Sequence, residues 1–259
     1  MFGEDKDKTR TVILIHPIGG NINIWRDEIE LISKKNIRII AYELRGHHRS
    51  NMGVKNNFTI SDLVQDLKLL IDSLEIKKCT LIGHSIGGSV ASVYAAQYAE
   101  DIEGVILING SSIPIPDKDL EKHHVTRKIA LTNGMEALAK WIRHEGSESE
   151  KAFEDEKNWK EFEQIFTKTS VAGFIAATQS LYTMPDHVTS SLRNTNCKIF
   201  GIVGEGDEVF IRLMHKMKDE IPSFELKVIK DSDHWVIVEH PQELFEALKE
   251  FLEKIYPLI

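Results

Sequence analysis

The stretch Gly83-His84-Ser85-Ile86-Gly87-Gly88 constrains this chain more than any other, because it joins an apolar run to a small-residue run through a glycine-flanked serine. Cys79-Thr80-Leu81-Ile82 before it has the pattern of a buried strand, and the Ala- and Ser-rich residues 89–98 after it have that of a helix. A strand that turns directly into a helix crowds and strains the backbone at the join. A side chain at position 83 or 87 would meet the neighbouring strand or helix. Such an elbow lifts the Ser85 hydroxyl above the sheet, where a histidine can take its proton.

Apolar, β-branched runs recur at 11–16, 37–42, 79–83, 104–109, 197–203 and 225–229. Helical patterns at 24–34, 59–74, 86–99, 209–220 and 241–255 lie between and after them. Alternation of strand and helix with fully apolar strands predicts an α/β fold whose mostly parallel sheet is covered on both faces. Residues 113–185 break the rhythm with several short helical patterns and no strand pattern, opened by Pro114 and Pro116 and closed by Met184-Pro185. Within them Phe153, Trp159, Phe162 and Phe166 read as an aromatic stripe packed down from a solvated helix. A helical insertion of this length after a sheet strand predicts a cap, or lid, over a site at that end of the sheet. The expected division is a core of residues 1–112 and 186–259 with a cap at 113–185.

At 259 residues the chain suits one substantial core. A net charge of −8, from 32 basic and 40 acidic residues, argues against non-specific binding to nucleic acid or an anionic membrane. Residues 1–10 are charged and lack the apolar centre of a signal peptide. No apolar run approaches the roughly 18 residues that span a bilayer, so a cytoplasmic location is expected. Cys79 and Cys197 adjoin strand-like runs and read as buried thiols, not as a disulfide. The chain has no C-x-x-C pair, no H-E-x-x-H, no G-x-G-x-x-G after a strand and no phosphate-loop lysine, so neither a metal nor an organic cofactor is expected.

Serine chemistry of the kind the elbow suggests needs a base, an acid to orient it and donors for an oxyanion. Of the 11 histidines, His234 is the best placed, in Asp231-Ser232-Asp233-His234-Trp235 just beyond the last strand run. His84 points away from Ser85 by elbow geometry and reads as a structural neighbour. His16, His47 and His48 follow strand runs and are candidates to line a pocket, whereas His123, His124 and His144 in the insertion are expected at the surface. The acid is best assigned to Asp207, in a glycine-rich loop after the 197–203 run, with Glu205, Glu208, Asp231 and Asp233 as rivals. Oxyanion donors are expected from the backbone N–H groups of Ile86 and of Ile18, the latter in His16-Pro17-Ile18-Gly19-Gly20. His16, Gly19, His84 and Trp235 complete the set of pocket candidates.

With these residues the chain resembles the α/β-hydrolase superfamily, in its branch of small cofactor-independent serine esterases and related hydrolases, over nearly its whole length. His16 to Gly20 is similar to the family's histidine-glycine oxyanion loop. Glu43-Leu44-Arg45-Gly46-His47-His48-Arg49-Ser50 resembles its D-x-R-G-x-G-x-S loop, with Glu43 for the aspartate and His48 for the second glycine. Residues 83–88 match the nucleophile elbow, 204–207 match the acid loop, and Asp233-His234 stands for the family's Gly-His. The order Ser85, Asp207, His234 is that of the family's triad. The family usually has antiparallel strands before its histidine-glycine strand. Only residues 1–10 precede that strand here, so the resemblance implies about six strands, with 11–16 near an edge. It also places a helical cap at 113–185.

The implied activity is hydrolysis of small to medium, partly apolar carboxylic esters through an acyl-enzyme on Ser85, by a monomer or homodimer that needs only its small-molecule ester substrate. The same triad also serves hydrolysis of a carbon–carbon bond or of a thioester, the latter favoured by a basic rim of the kind Arg127, Lys128, Lys140 and Arg143 faintly suggest. A ligand-binding signalling protein with little turnover is the alternative from a different class. Halide release is disfavoured, because that route needs a carboxylate where Ser85 stands.

Overall fold

The computed structural model describes residues 10–33, 37–54, 56–145 and 152–257. The rest of the expected core termini (1–9 and 258–259), of the insertion (146–151) and of the first helix pattern (34) lies outside the described residues. The strands are β1 (Thr11–Ile15), β2 (Arg38–Tyr42), β3 (Cys79–His84), β4 (Ile102–Ile108), β5 (Lys198–Gly204) and β6 (Glu225–Ile229). The helices are α1 (Arg26–Ser33), α2 (Ile60–Ser73), α3 (Ile86–Gln97), α4 (Asp117–Leu120), α5 (Lys122–Glu145, two helical stretches joined by a kink at Gly134) and α6 (Glu156–Phe166). They continue with α7 (Val171–Ser180), α8 (Val188–Arg193), α9 (Glu208–Glu220), α10 (Val236–Glu239) and α11 (Pro241–Ile255).

All six strands are parallel, in the order β2-β1-β3-β4-β5-β6. The central strands are mostly apolar because both faces are covered, and β1 and β3 are buried along their whole length, whereas the edge strand β6 leaves Glu225 and Lys227 exposed. Alternate residues serve opposite layers. Ile13 and Ile15 join Leu63 and Leu67 of α2 and Val90 and Tyr94 of α3, whereas Val12 and Leu14 join Trp25 and the Leu244, Leu248 and Phe251 face of α11. Thr59 starts α2 with a capping box, its hydroxyl accepting from the Asp62 N–H while the Asp62 carboxylate accepts from the Thr59 N–H.

From β1 the chain moves outward to β2 at the edge, then crosses back over β1 to β3. The direction of winding therefore reverses between β1 and β3. The carboxyl ends of strands at such a reversal diverge and leave a crevice. The loop after β1 (16–20) and the turn after β3 (85) both open into it. Between β4 and β5 the chain carries α4 to α8 and no strand among the described residues. Part of this segment has its own cluster, in which Ala130, Leu138, Phe153, Trp159, Phe162, Phe166 and Phe174 bury against Trp235 of the core. The aromatic stripe thus packs down as expected. No helix among the described residues is long and apolar enough to cross a membrane.

Candidate active site

Ser85 sits at the tip of the elbow with φ 56° and ψ −119°, a conformation L-residues rarely adopt. Its N–H donates to the Ile108 carbonyl at 2.9 Å and its carbonyl accepts from Gly88 at 2.8 Å, so sheet and helix hold the turn from both sides. The two flanking glycines are explained by close approach. A Cβ on Gly83 would lie 2.2 Å from the Gly87 carbonyl oxygen, and one on Gly87 would lie 2.2 Å from the Ile15 carbonyl oxygen. Both obstacles are backbone, which cannot rotate away. Gly87→Ala is therefore expected to lose on the order of 3 kcal/mol or more of stability, read from urea or thermal unfolding. A near-neutral result would show that β1 and α3 separate easily.

From Ser85 a chain of hydrogen bonds runs inward. The Ser85 Oγ is 3.2 Å from His234 Nε2, and His234 Nδ1–H donates to Asp207 Oδ2 at 2.8 Å. Asp207 is 2% exposed and is itself the N-cap of α9, its Oδ1 accepting from the Phe210 N–H at 3.1 Å. Its Oδ2 also accepts from Asn109 Nδ2 at 2.6 Å. Burial alone would raise the Asp207 pKa, but the facing His234, the Asn109 amide and the Phe210 N–H outweigh it and hold the carboxyl below its ordinary value. The rivals stand elsewhere. Glu205, Glu208 and Asp231 are exposed. Asp233 donates its N–H to Glu239 at 2.6 Å, and burial together with Asp207 and Glu239 raises its carboxyl pKa.

Asn109 was hidden within an expected strand. It follows β4 at the carboxyl edge with φ 40°, and its amide also donates to the Asp233 carbonyl at 3.2 Å. One side chain thus grips both the acid and the loop that carries His234. The available signal was a polar residue ending an otherwise apolar run. Phe210 stacks on the His234 ring at 5.4 Å between centroids, a contact the one-dimensional pattern does not carry.

Three further histidines are packed beneath the site instead of into it. His84 is fully buried, and its Nε2–H donates to the His234 carbonyl at 2.9 Å. His16 donates from Nδ1 to the Pro17 carbonyl at 2.8 Å and accepts the Leu44 N–H at 3.0 Å. His47 donates from Nδ1 to the Arg45 carbonyl at 3.1 Å and accepts the Gly19 N–H at 3.2 Å. Each accepting nitrogen at His16 and His47 needs a neutral ring. Burial, with a neighbouring imidazole at His16 and His84, pushes all three pKa values down, to about 4 for His47 and about 3 for His84. His48 instead pairs with Glu43 at 2.6 Å.

These depressed values carry a signed pH prediction. The unfolded chain protonates its histidines below about pH 6.5, whereas the fold refuses the proton at His47 down to about pH 4. Stability should therefore fall as pH drops through that window, by about 1.4 kcal/mol per pH unit for each such imidazole. Urea unfolding of wild type and His47→Gln between these limits tests it. The variant should show the shallower loss, and parallel curves would refute the assignment.

Above Ser85 lies a cavity of about 190 Å³. Ile18, Leu120, Trp141, Phe166, Phe174 and Trp235 belong to its apolar wall, with Lys122, His123 and Asp119 among its polar edges. Trp235 is thus placed in the wall, while His16, Gly19 and His84 lie outside it. The loop geometry explains this. The two histidines turn inward to bond backbone, and Gly19, at φ 77°, lies on the far side of its loop against the Phe166 ring. His123 corrects the expectation of a surface position, since it is half-buried in the cavity wall. Cys79 and Cys197 are buried free thiols. Among the described residues no group of three or more His, Cys, Asp or Glu side chains is placed to hold a metal ion.

Comparison with known proteins defines the class. The profile of the alpha/beta hydrolase fold matches residues 10–136. A solved structure from the ammonia-oxidizing thaumarchaeon Nitrososphaera gargenis, described among that organism's carboxylesterases, is 49% identical, with a TM-score of 0.94 over 98% of this chain and 93% of that one. The chain belongs to the alpha/beta hydrolase family. A thermophilic esterase of Thermogutta terrifontis with malate bound, 24% identical, shares the fold at a TM-score of 0.83, covering 95% of this chain and 90% of that one. A protein of Pantoea ananatis named as a carbamate hydrolase, RutD, is 23% identical over 72% of this chain and 74% of its own length. The chain spans only about half the length of several other proteins of that name.

Proposed function

We propose that this chain is a serine hydrolase that cleaves carboxylic esters through an acyl-enzyme on Ser85. The observation that carries the reading is the unbroken chain from Ser85 Oγ through His234 to the buried Asp207, opening into an apolar cavity. In this mechanism His234 Nε2 takes the Ser85 proton as Oγ attacks the ester carbonyl, and Asp207 holds the ring in the required tautomer. The developing oxyanion is met by the N–H of Ile86, at the N-terminus of α3, and by that of Ile18. The neighbouring amides of that loop are already engaged, Gly19 with His47 and Gly20 with the Pro17 carbonyl. His234 then protonates the departing alcohol and activates the water that releases the acid. Residues 113–185 act as the cap that supplies the aromatic wall.

The apolar wall supports a partly apolar ester of small to medium size. The resemblance to a carboxylesterase at 49% identity points the same way. A thioester on a carrier is less well supported, because Arg143 of the suspected basic rim is paired with Glu156 at 2.9 Å. The test is turnover of short p-nitrophenyl esters, followed by fluorophosphonate labelling and peptide mass mapping. Hydrolysis with the label on Ser85 is the expected result. A folded protein that neither turns over any ester nor takes the label would exclude this function.

A further inference from the structure

The Ser85 cavity and a second, larger space share a wall. A cleft of about 760 Å³ lies between the loop after β1, α1, α6 and the segment around α10. Trp235 is the one described residue that lines both the cleft and the 190 Å³ cavity. On the cleft side Phe162 meets its indole edge-on at 5.0 Å, and Ile24 and Val238 pack into the same cluster. On the cavity side the indole meets His234 edge-on at 5.9 Å. The lining of the cleft next to Trp235 is therefore apolar, whereas the exposed Arg26, Asp27, Lys157, Glu161 and Lys168 and the buried Asn21 and Glu28 line the rest of it.

We infer that Trp235 is a specificity-determining wall that sets the longest alkyl arm the ester substrate carries, excluding that arm from the apolar end of the cleft. The inference rests on the ester-hydrolase reading and deepens it by naming the substrate class, short-chain esters. The indole is large and has few rotatable bonds, and the rings of His84, Phe153, Phe162 and His234 surround it at 5.0–5.9 Å. It forms a fixed partition. Each methylene that finds apolar contact raises kcat/KM about fourfold, so an arm gains with length until it reaches the indole and then loses. With the partition removed, the same arm continues into the space bounded by Ile24, Phe162 and Val238.

The test measures kcat/KM for p-nitrophenyl esters from acetate to dodecanoate and for n-alkyl acetates from ethyl to octyl, which separates the acyl arm from the alcohol arm. Wild type should fall off sharply beyond short chains in the arm that meets Trp235. Trp235→Ala should raise the longest esters of that series relative to the shortest by about tenfold or more. Trp235→Leu serves the same purpose where the alanine variant does not fold. Refilling the cleft with Ile24→Trp in the Trp235→Ala background should reverse the gain. Leu181→Ala, which enlarges the cavity away from the cleft, should extend tolerance only by the carbons it deletes. The inference is overturned by a folded Trp235 variant with the wild-type rank order in both series, by one inactive on every ester, or by a wild type that prefers long chains. Absence of wild-type turnover on every ester would instead refute the underlying hydrolase reading.

Discussion

Ser85→Ala is expected to lower kcat/KM toward the best ester by about a thousandfold or more while leaving the fold intact. The methyl group fits wherever the hydroxymethyl did, and the Ser85 backbone, not its side chain, ties the elbow to Ile108 and Gly88. A second substitution at the same position separates chemistry from strain. At φ 56° and ψ −119° any side chain is disfavoured, and glycine is not. Ser85→Gly should be as inactive as the alanine variant yet more stable than wild type by about 1–3 kcal/mol, seen as a higher unfolding midpoint. Activity retained in both variants would remove Ser85 from the mechanism. A glycine variant no more stable than wild type would show that the elbow is relaxed. The expected pair of results means that the fold carries strain at the point where the hydroxyl is presented.

The parts of this molecule that are legible in one dimension are those fixed by local chemistry. Strands buried on both faces are largely apolar, so β1, β3 and β4 announce themselves, and the glycines at 83 and 87 mark a backbone approach that no other residue permits. About six strands is what the family resemblance implies, and six pair in the sheet. What sequence order cannot carry is convergence from distant segments. Asn109 and Asp207 are 98 residues apart, and nothing near either one predicts their 2.6 Å contact. Among the five candidate acids loop position favours Asp207, but composition alone does not fix which carboxylate faces inward. Burial does, through the cap of α9 that locks Asp207 inward and leaves Glu205 and Glu208 in solvent. His123 was misjudged for a related reason. A histidine in a long helical insertion reads as surface, but α5 lies beside Ser85 and its His123 lines the same cavity.

Asp207→Asn is expected to lower kcat/KM by about a thousandfold to ten-thousandfold, with little change in KM. The size of the effect follows from how Oδ2 is used. It accepts two hydrogen bonds at once, from His234 Nδ1 at 2.8 Å and from Asn109 Nδ2 at 2.6 Å, while Oδ1 accepts the Phe210 N–H. An asparagine has a single acceptor oxygen. If that oxygen keeps the α9 cap, the new amide faces two donors, and His234 relieves the conflict by moving its proton to Nε2, where it can no longer accept from Ser85. If the amide turns over, the cap is lost and α9 pulls on the site. Asp233→Asn supplies the contrast, since that carboxylate lies next to His234 in sequence and meets its backbone N–H, yet the imidazole bonds Asp207 instead. It should remain within a few-fold of wild type. Asn109→Leu falls between the two, because it removes one donor to Asp207 and the tie to the Asp233 carbonyl without changing the acid itself. Kinetics of the three variants on one ester, with unfolding midpoints to control for stability, decide the assignment. A mild Asp207 variant beside a crippled Asp233 variant would transfer the role of the acid to Asp233.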